Sequence, residues 1–325
     1  MRKAFGLFWL LFFLYFIFVH PAIIYYNSEY PHRYLDQVNP SEALIYLGIS
    51  LLLWAFILCV LFVIIFKYTI QTKGNIAKIN QKGKRLEARI VQASRSVVFK
   101  QNEAIKSLVL ALHNLEGESI RHTLEVRDTK PNERRFEEGK RIHLRVDSTF
   151  TQRPYVIVEG TKGKVNGWFF IGWLLFLVGI TYYYVFSYQL ENQGYGWRFL
   201  TLSHPLLSSA GFLILFTGII YVIVKFLFLR KMNIGTSSLA LKFRGKRANG
   251  TILSVQQTGT YINEQPEVKF DVEYTDDQGL THQVVVKKIV SLLEVGSVKT
   301  QTNCLLFYDP KEPQKVQFES DLITM

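Results

Sequence analysis

The side chains able to do chemistry are sparse. Histidine stands at His20, His32, His113, His122, His143, His204 and His282, and cysteine at Cys59 and Cys304. A zinc site needs Cys and His at spacings that bring them together, and no cluster has such spacing. His113, His122 and His143 fall on or beside strands expected in one soluble segment and could converge on a metal. No spacing ties them, so histidines on alternate strand faces are the expected reading. No G-x-x-x-x-G-K-[ST] loop, G-x-S-x-G elbow, H-E-x-x-H helix or C-x-x-C pair occurs. No catalytic, cofactor-binding or metal-ligating residue is expected, and the chain reads as non-enzymatic.

The elements around these residues point to a bilayer. The 325 residues are 49% hydrophobic and 14% aromatic, and 20% are charged. Ala4 to Tyr26, Ala43 to Phe66, Trp168 to Tyr188 and Pro205 to Leu229 are apolar runs. At about 1.5 Å per residue each can cross a hydrocarbon core of about 30 Å. The first run is longer than a signal-peptide core and no A-x-A site follows, so it is expected to stay as an anchor. His20 beside Pro21 is expected to mark the outer end of that span. Two cysteines, one within a span, suit a reducing compartment and no disulfide.

Charge sets the expected orientation. The net charge is +12, and residues 67–167 alone carry 21 basic against 11 acidic side chains. Residues 168–229 hold one acid, Glu191, against Arg198 and Lys225. Lys67, Lys73, Lys78, Lys82, Lys84 and Arg85 follow the second span. Arg230, Lys231, Lys242, Arg244, Lys246 and Arg247 follow the fourth. The positive-inside rule places both termini and both soluble segments in the cytoplasm. These twelve cations are also candidates for contact with anionic lipid headgroups, each contributing about 1 kcal/mol near a charged surface. Nucleic acid is not an expected partner, because acids interleave with the basic residues and no aromatic stacking platform is present.

The chain also repeats. Gly83-Lys84-Arg85 recurs as Gly245-Lys246-Arg247, and Gly117 matches Gly279 at the same offset. Arg33-Tyr34-Leu35 precedes Pro40 as Arg198-Phe199-Leu200 precedes Pro205. The unit is two spans, a basic connector and a soluble domain, occurring twice in parallel. Expected boundaries are 1–66 (hairpin), 67–82 (connector), 83–167 (β domain), 168–229 (hairpin), 230–244 (connector) and 245–325 (β domain). Glu267 to Tyr274 alternates strictly, Asp276 to Gly279 signals a turn, and His282 to Lys288 alternates again. Further strands are expected at Leu293–Val298, Cys304–Tyr308 and Val316–Phe318. In the first domain they are expected at Ser107–His113, Thr123–Val126 and Ile142–Val146. Ile76–Lys82 and Ser237–Phe243 read as short juxtamembrane helices. The expected fold is an α+β membrane protein: four transmembrane helices and two small cytoplasmic all-β domains, barrel or sandwich, in tandem parallel repeat.

Residues 243–320 resemble the domain of unknown function 3592 family of bacterial membrane proteins. The carrying residues are Gly250-Thr251-Ile252, Val268-Lys269-Phe270, Tyr274 with Asp277-Gln278-Gly279, Gly296, and Tyr308-Asp309-Pro310 with Pro313. The first domain has Val146-Asp147-Ser148 where that triplet stands. The resemblance implies a small β domain beside transmembrane helices in a bacterial plasma membrane, and it supplies no catalytic residues. The expected function is a scaffold that docks a protein partner or a second copy. The alternative is a pore subunit, for which Ser208, Ser209, Gly211, Thr217 and Gly218 supply a small-residue stripe on the fourth span.

Overall fold

The computed structural model describes residues 2–323 except 33, 101–102, 224, 226–235, 263, 293–295 and 297–300. The chain divides into two compact units, Met1–Lys73 with Lys164–Lys231, and Gly74–Gly163 with Met232–Met325. The two hairpins expected as separate segments therefore pack into one helical unit, and the two β domains pack into another. Arg230, Lys231 and most of the strand expected at Leu293–Val298 lie outside the described residues.

Four helices are long and apolar enough to cross a membrane: α1 (Phe5–Ser28), α2 (Pro40–Lys82), α3 (Trp168–Glu191) and α4 (Pro205–Ile223). Large apolar side chains such as Leu52, Leu175 and Tyr221 stay exposed on their outer faces, a surface suited to lipid rather than water. Between the helices Trp54, Ile57 and Ala210 form a buried cluster. Ser50 Oγ and Trp54 Nε1 both donate to the Leu206 carbonyl, at 2.9 and 2.8 Å, and Trp173 Nε1 donates to that of Leu58 at 3.0 Å. Such bonds hold helices together where apolar burial supplies no driving force.

The first helix does not end at His20. The helix runs on to Ser28, and a π-turn at Tyr15–Val19 lies just before Pro21. The wider turn accommodates a residue that has no N–H to donate. The basic connector after the second span is likewise helical, a π-turn at Lys67–Gln71 followed by helix to Lys82. Asn39 Oδ1 caps α2 by accepting from Ser41 N–H at 3.0 Å. His204 Nδ1 caps α4 in the same way, accepting from Leu206 N–H at 3.1 Å.

The second unit holds two five-stranded antiparallel, barrel-like sheets. The first comprises β1 (Lys84–Lys100), β2 (Glu103–His113), β3 (Ser119–Asp128), β4 (Arg141–Val146) and β5 (Val156–Val158), in the order β3-β2-β1-β4-β5. The second comprises β6 (Lys246–Ile262), β7 (Gln265–Thr275), β8 (Thr281–Ile289), β9 (Asn303–Asp309) and β10 (Glu312–Phe318), in the order β10-β9-β6-β7-β8. Counted from its own first strand, each sheet has the same order. Alternation places Val268, Phe270, Val272 and Tyr274 of β7 inside, as a period of two requires.

The correspondence reaches single residues. The register shifts between Ile90 and Gln92 in the first sheet, and between Ile252 and Ser254, 162 positions later, in the second. Gly117 and Gly279 close equivalent turns with φ of +87° and +82°. Gly83 and Gly245 donate to the carbonyls of Ile79 and Leu241 at 2.8 and 2.6 Å, ending the helix that feeds each sheet.

A short helix, α5 (Thr236–Arg244), joins the sheets. Leu241, Phe243, Phe307 and Leu322 are buried in the same cluster as Ile90, Leu108 and Leu144 of the first sheet. Asn114 Nδ2 donates to the carbonyls of Lys242 and Gly245 at 3.1 and 2.8 Å, and Leu115 N–H donates to that of Phe243 at 3.0 Å. The turn of the first sheet thus docks onto the helix–strand corner of the second. The corresponding residues elsewhere are polar. Asp276 and Asp277 stand for Asn114 and Leu115, and Gln81 and Arg145 for Phe243 and Phe307. Arg145 donates to the Gly83 carbonyl at 3.1 Å and pairs with Glu159 at 2.6 Å.

Candidate functional site

In the helical unit one carboxyl gathers four donors. Glu191, the last residue of α3, is fully buried. Tyr25 Oη donates to its Oε2 at 2.6 Å and Tyr26 Oη to its Oε1 at 3.0 Å. His32 Nε2 lies 2.8 Å from Tyr25 Oη and 3.2 Å from Oε2, and His204 Nε2 3.3 Å from Oε1. Because His204 Nδ1 accepts from Leu206, its Nε2 must carry the proton that faces Glu191. Four donors match the four lone-pair sites of an ionised carboxylate. The sequence held one signal for this centre, the solitary acid of residues 168–229. His32 and His204 sit in separate connections, and only the packing of α1, α3 and α4 brings them to it.

This arrangement is suited to fastening. Glu191 and His204 have no exposed surface, and the cavity among these helices is lined by other residues. That cavity, of about 340 Å³, is walled by Phe18, Trp54, Phe176, Tyr183 and Leu206 among others. The Tyr183 and Ser187 hydroxyl oxygens are enclosed with no partner at hydrogen-bond distance and angle. A saturated carboxylate without a substrate space can order helix ends but cannot take a proton from a bound molecule.

In the β unit a cavity of about 710 Å³ opens beside β6 and β9, lined by Gly250, Phe270, Cys304 and Phe318 with Lys288 and Asn303. Burial pushes the Cys304 thiol up from its usual pKa, which keeps it protonated and unreactive at neutral pH. The three histidines of the first sheet separate. His113 is exposed, with Nδ1 3.1 Å from the Gly117 carbonyl. His143 is half-buried on β4 opposite Glu87. His122 is buried against the Phe243 ring, centroids 5.1 Å apart, and its Nδ1 has no partner. Burial, with the nearby Lys242 charge, lowers the His122 pKa to about 4. Among the described residues no group of three His, Cys, Asp or Glu is placed to hold a metal ion.

The basic connectors differ. Lys67, Lys73, Lys78, Lys82, Lys84 and Arg85 are exposed, with Arg85 pairing with Glu159 at 3.0 Å. The described cations of the second connector are engaged within the protein. Lys242 is buried and donates to the Leu322 carbonyl, and burial lowers its pKa to about 8. Arg244 pairs with Asp309 at 3.5 Å and Lys246 with Asp277 at 2.6 Å. Arg247 pairs with Glu319 at 2.6 Å and lies over the Phe307 ring.

No family model and no curated protein matches this chain.

Proposed function

We propose that the chain is a non-enzymatic membrane scaffold. Its four helices anchor it in a bacterial plasma membrane, with both termini cytoplasmic, and its two β domains, a duplicated unit, present one docking platform for a protein partner. The observation that carries this reading is the packing of Phe243 and Phe307 into the core of the first sheet. Sheets packed in this way offer a composite surface, and edge strands such as β3 and β8 can accept a partner strand. The exposed cations from Lys67 to Arg85 support the inward orientation and suit anionic headgroups. The resemblance of residues 243–320 to the domain of unknown function 3592 family belongs to this proposal. Purification from the native cell at endogenous level in mild detergent tests it. A stoichiometric second protein is the expected result. A homo-oligomer alone would defeat the docking reading, and a carboxy-terminal reporter active only outside the cytoplasm would defeat the orientation.

A pore subunit is the second reading, favoured by Gly211 and Gly218 of α4, which face open space. Ser209 and Ala210 are instead buried in the bundle. Conductance in a planar bilayer, lost on Gly211→Leu, is what a pore predicts.

A further inference from the structure

The cavity of about 340 Å³ in the helical unit is walled by all four long apolar helices. Phe18 of α1, Trp54 of α2 and Phe176 of α3 line its deeper part. Tyr183 of α3 and Ser209 of α4 stand towards the end where α3 gives way to α4. From Phe176 to Tyr183 the wall follows α3 for about 10 Å, at about 1.5 Å per residue. Leu175 also lines the cavity and is 65% exposed, so the cavity opens beside the outward apolar face of the helices. No charged side chain is among the described residues that line it. Left empty, such a space forfeits the dispersion contacts of its lining. Water is a poor filler, because a buried water needs two to four polar partners and this wall is nearly all apolar. Ser209 is 3% exposed, and its hydroxyl has no hydrogen-bond partner among the described residues. A buried hydroxyl is costly to leave unmade. The matching occupant has a hydrocarbon body and an acceptor oxygen near one end.

We propose that this cavity holds one acyl chain of a bilayer phospholipid. The hydrocarbon lies against Phe18, Trp54 and Phe176, and the ester carbonyl accepts from Ser209. The proposal rests on the reading of the four helices as membrane-spanning and not on docking by the β domains.

Native mass spectrometry of the full polypeptide released from nanodiscs tests it. One set of discs is palmitoyl-oleoyl phosphatidylglycerol and the other is phosphatidylcholine with the same acyl chains. One phospholipid is expected to stay bound after the remaining lipid is stripped, equally from both discs, because the cavity holds the hydrocarbon and not the headgroup. Gly179→Leu fills the space, since Gly179 lines the cavity and a Cβ there meets nothing within 4 Å. Replacing a glycine within a helix also favours the helix. The melt of Gly179→Leu is therefore expected to match or exceed that of the natural sequence, while the retained lipid is lost. Ala22→Phe closes the same cavity from α1 and decides the matter where Gly179→Leu does not fold. Ser209→Ala is expected to lower the bound-to-free ratio about fivefold through the loss of one hydrogen bond. No retained lipid, retention that follows the headgroup, or retention unchanged in the filled variants overturns the proposal. A polypeptide that stays in solution without detergent would defeat the membrane reading first, whereas one that needs detergent and keeps no lipid defeats this proposal alone.

Discussion

Two buried polar residues carry distinct expectations. His122 is lowered from 6.5 to about 4 by burial and then by Lys242, so between those values the folded chain binds fewer protons than the unfolded one. Stability is therefore complete above 6.5 and falls as the pH drops towards 4, by about 3 kcal/mol in all. In His122→Leu that acid-sensitive loss should vanish from melts of the β unit recorded across the range. Glu191 acts through geometry instead. Glu191→Gln replaces an acceptor oxygen by a donor among four donors, and a loss of about 2 kcal/mol is expected. Tyr26→Phe removes one bond and should cost about 1 kcal/mol. Thermal melting of the full chain in detergent ranks the two, and an order reversed from this would remove Glu191 as the fastening group.

At the scale of elements, the corner glycines are the sensitive points. A Cβ on Gly245 would lie 2.4 Å from the Leu241 carbonyl oxygen, and one on Gly83 2.5 Å from that of Ile79. Gly245→Ala is expected to cost about 3 kcal/mol through a forced backbone shift. Gly117→Ala, in open space at positive φ, should cost only about 1 kcal/mol. Comparing the two melts separates contact from conformation. Strands were legible where apolar and polar residues alternate cleanly, as Val268, Phe270, Val272 and Tyr274 do with their neighbours. The helices were legible from uninterrupted apolar length. The long β1 was not, since Lys84–Lys100 mixes charged and apolar residues without a clean period. The Glu191 centre was illegible for another reason. Tyr25 and His32 stand 166 and 159 residues before Glu191, and only tertiary packing brings them to it and to His204.

For the whole molecule, the division into units could not be read from the chain order, which separates the two helical segments and the two sheets from one another. The packing depends on Phe243, which is fully buried. Phe243→Ala is expected to cost about 3–5 kcal/mol and to split one unfolding transition of the β unit into two, visible by hydrogen exchange of the two sheets. A single transition in the variant would show that the sheets are coupled elsewhere.

The docking of the Asn114 turn onto the Gly245 corner is directional, since a different face of each sheet is used. A directional contact of this kind can, in principle, propagate from molecule to molecule without end. Here both outer ends are blunted. The turn that would continue the row carries Asp276 and Asp277, which cannot supply the amide donor of Asn114 or the apolar contact of Leu115. The corner that would receive it carries Gln81 and Arg145, and the Gly83 carbonyl is already taken by Arg145. Within the chain, the two sheets thus form a pair whose outer ends are polar, as the caps of a solenoid are.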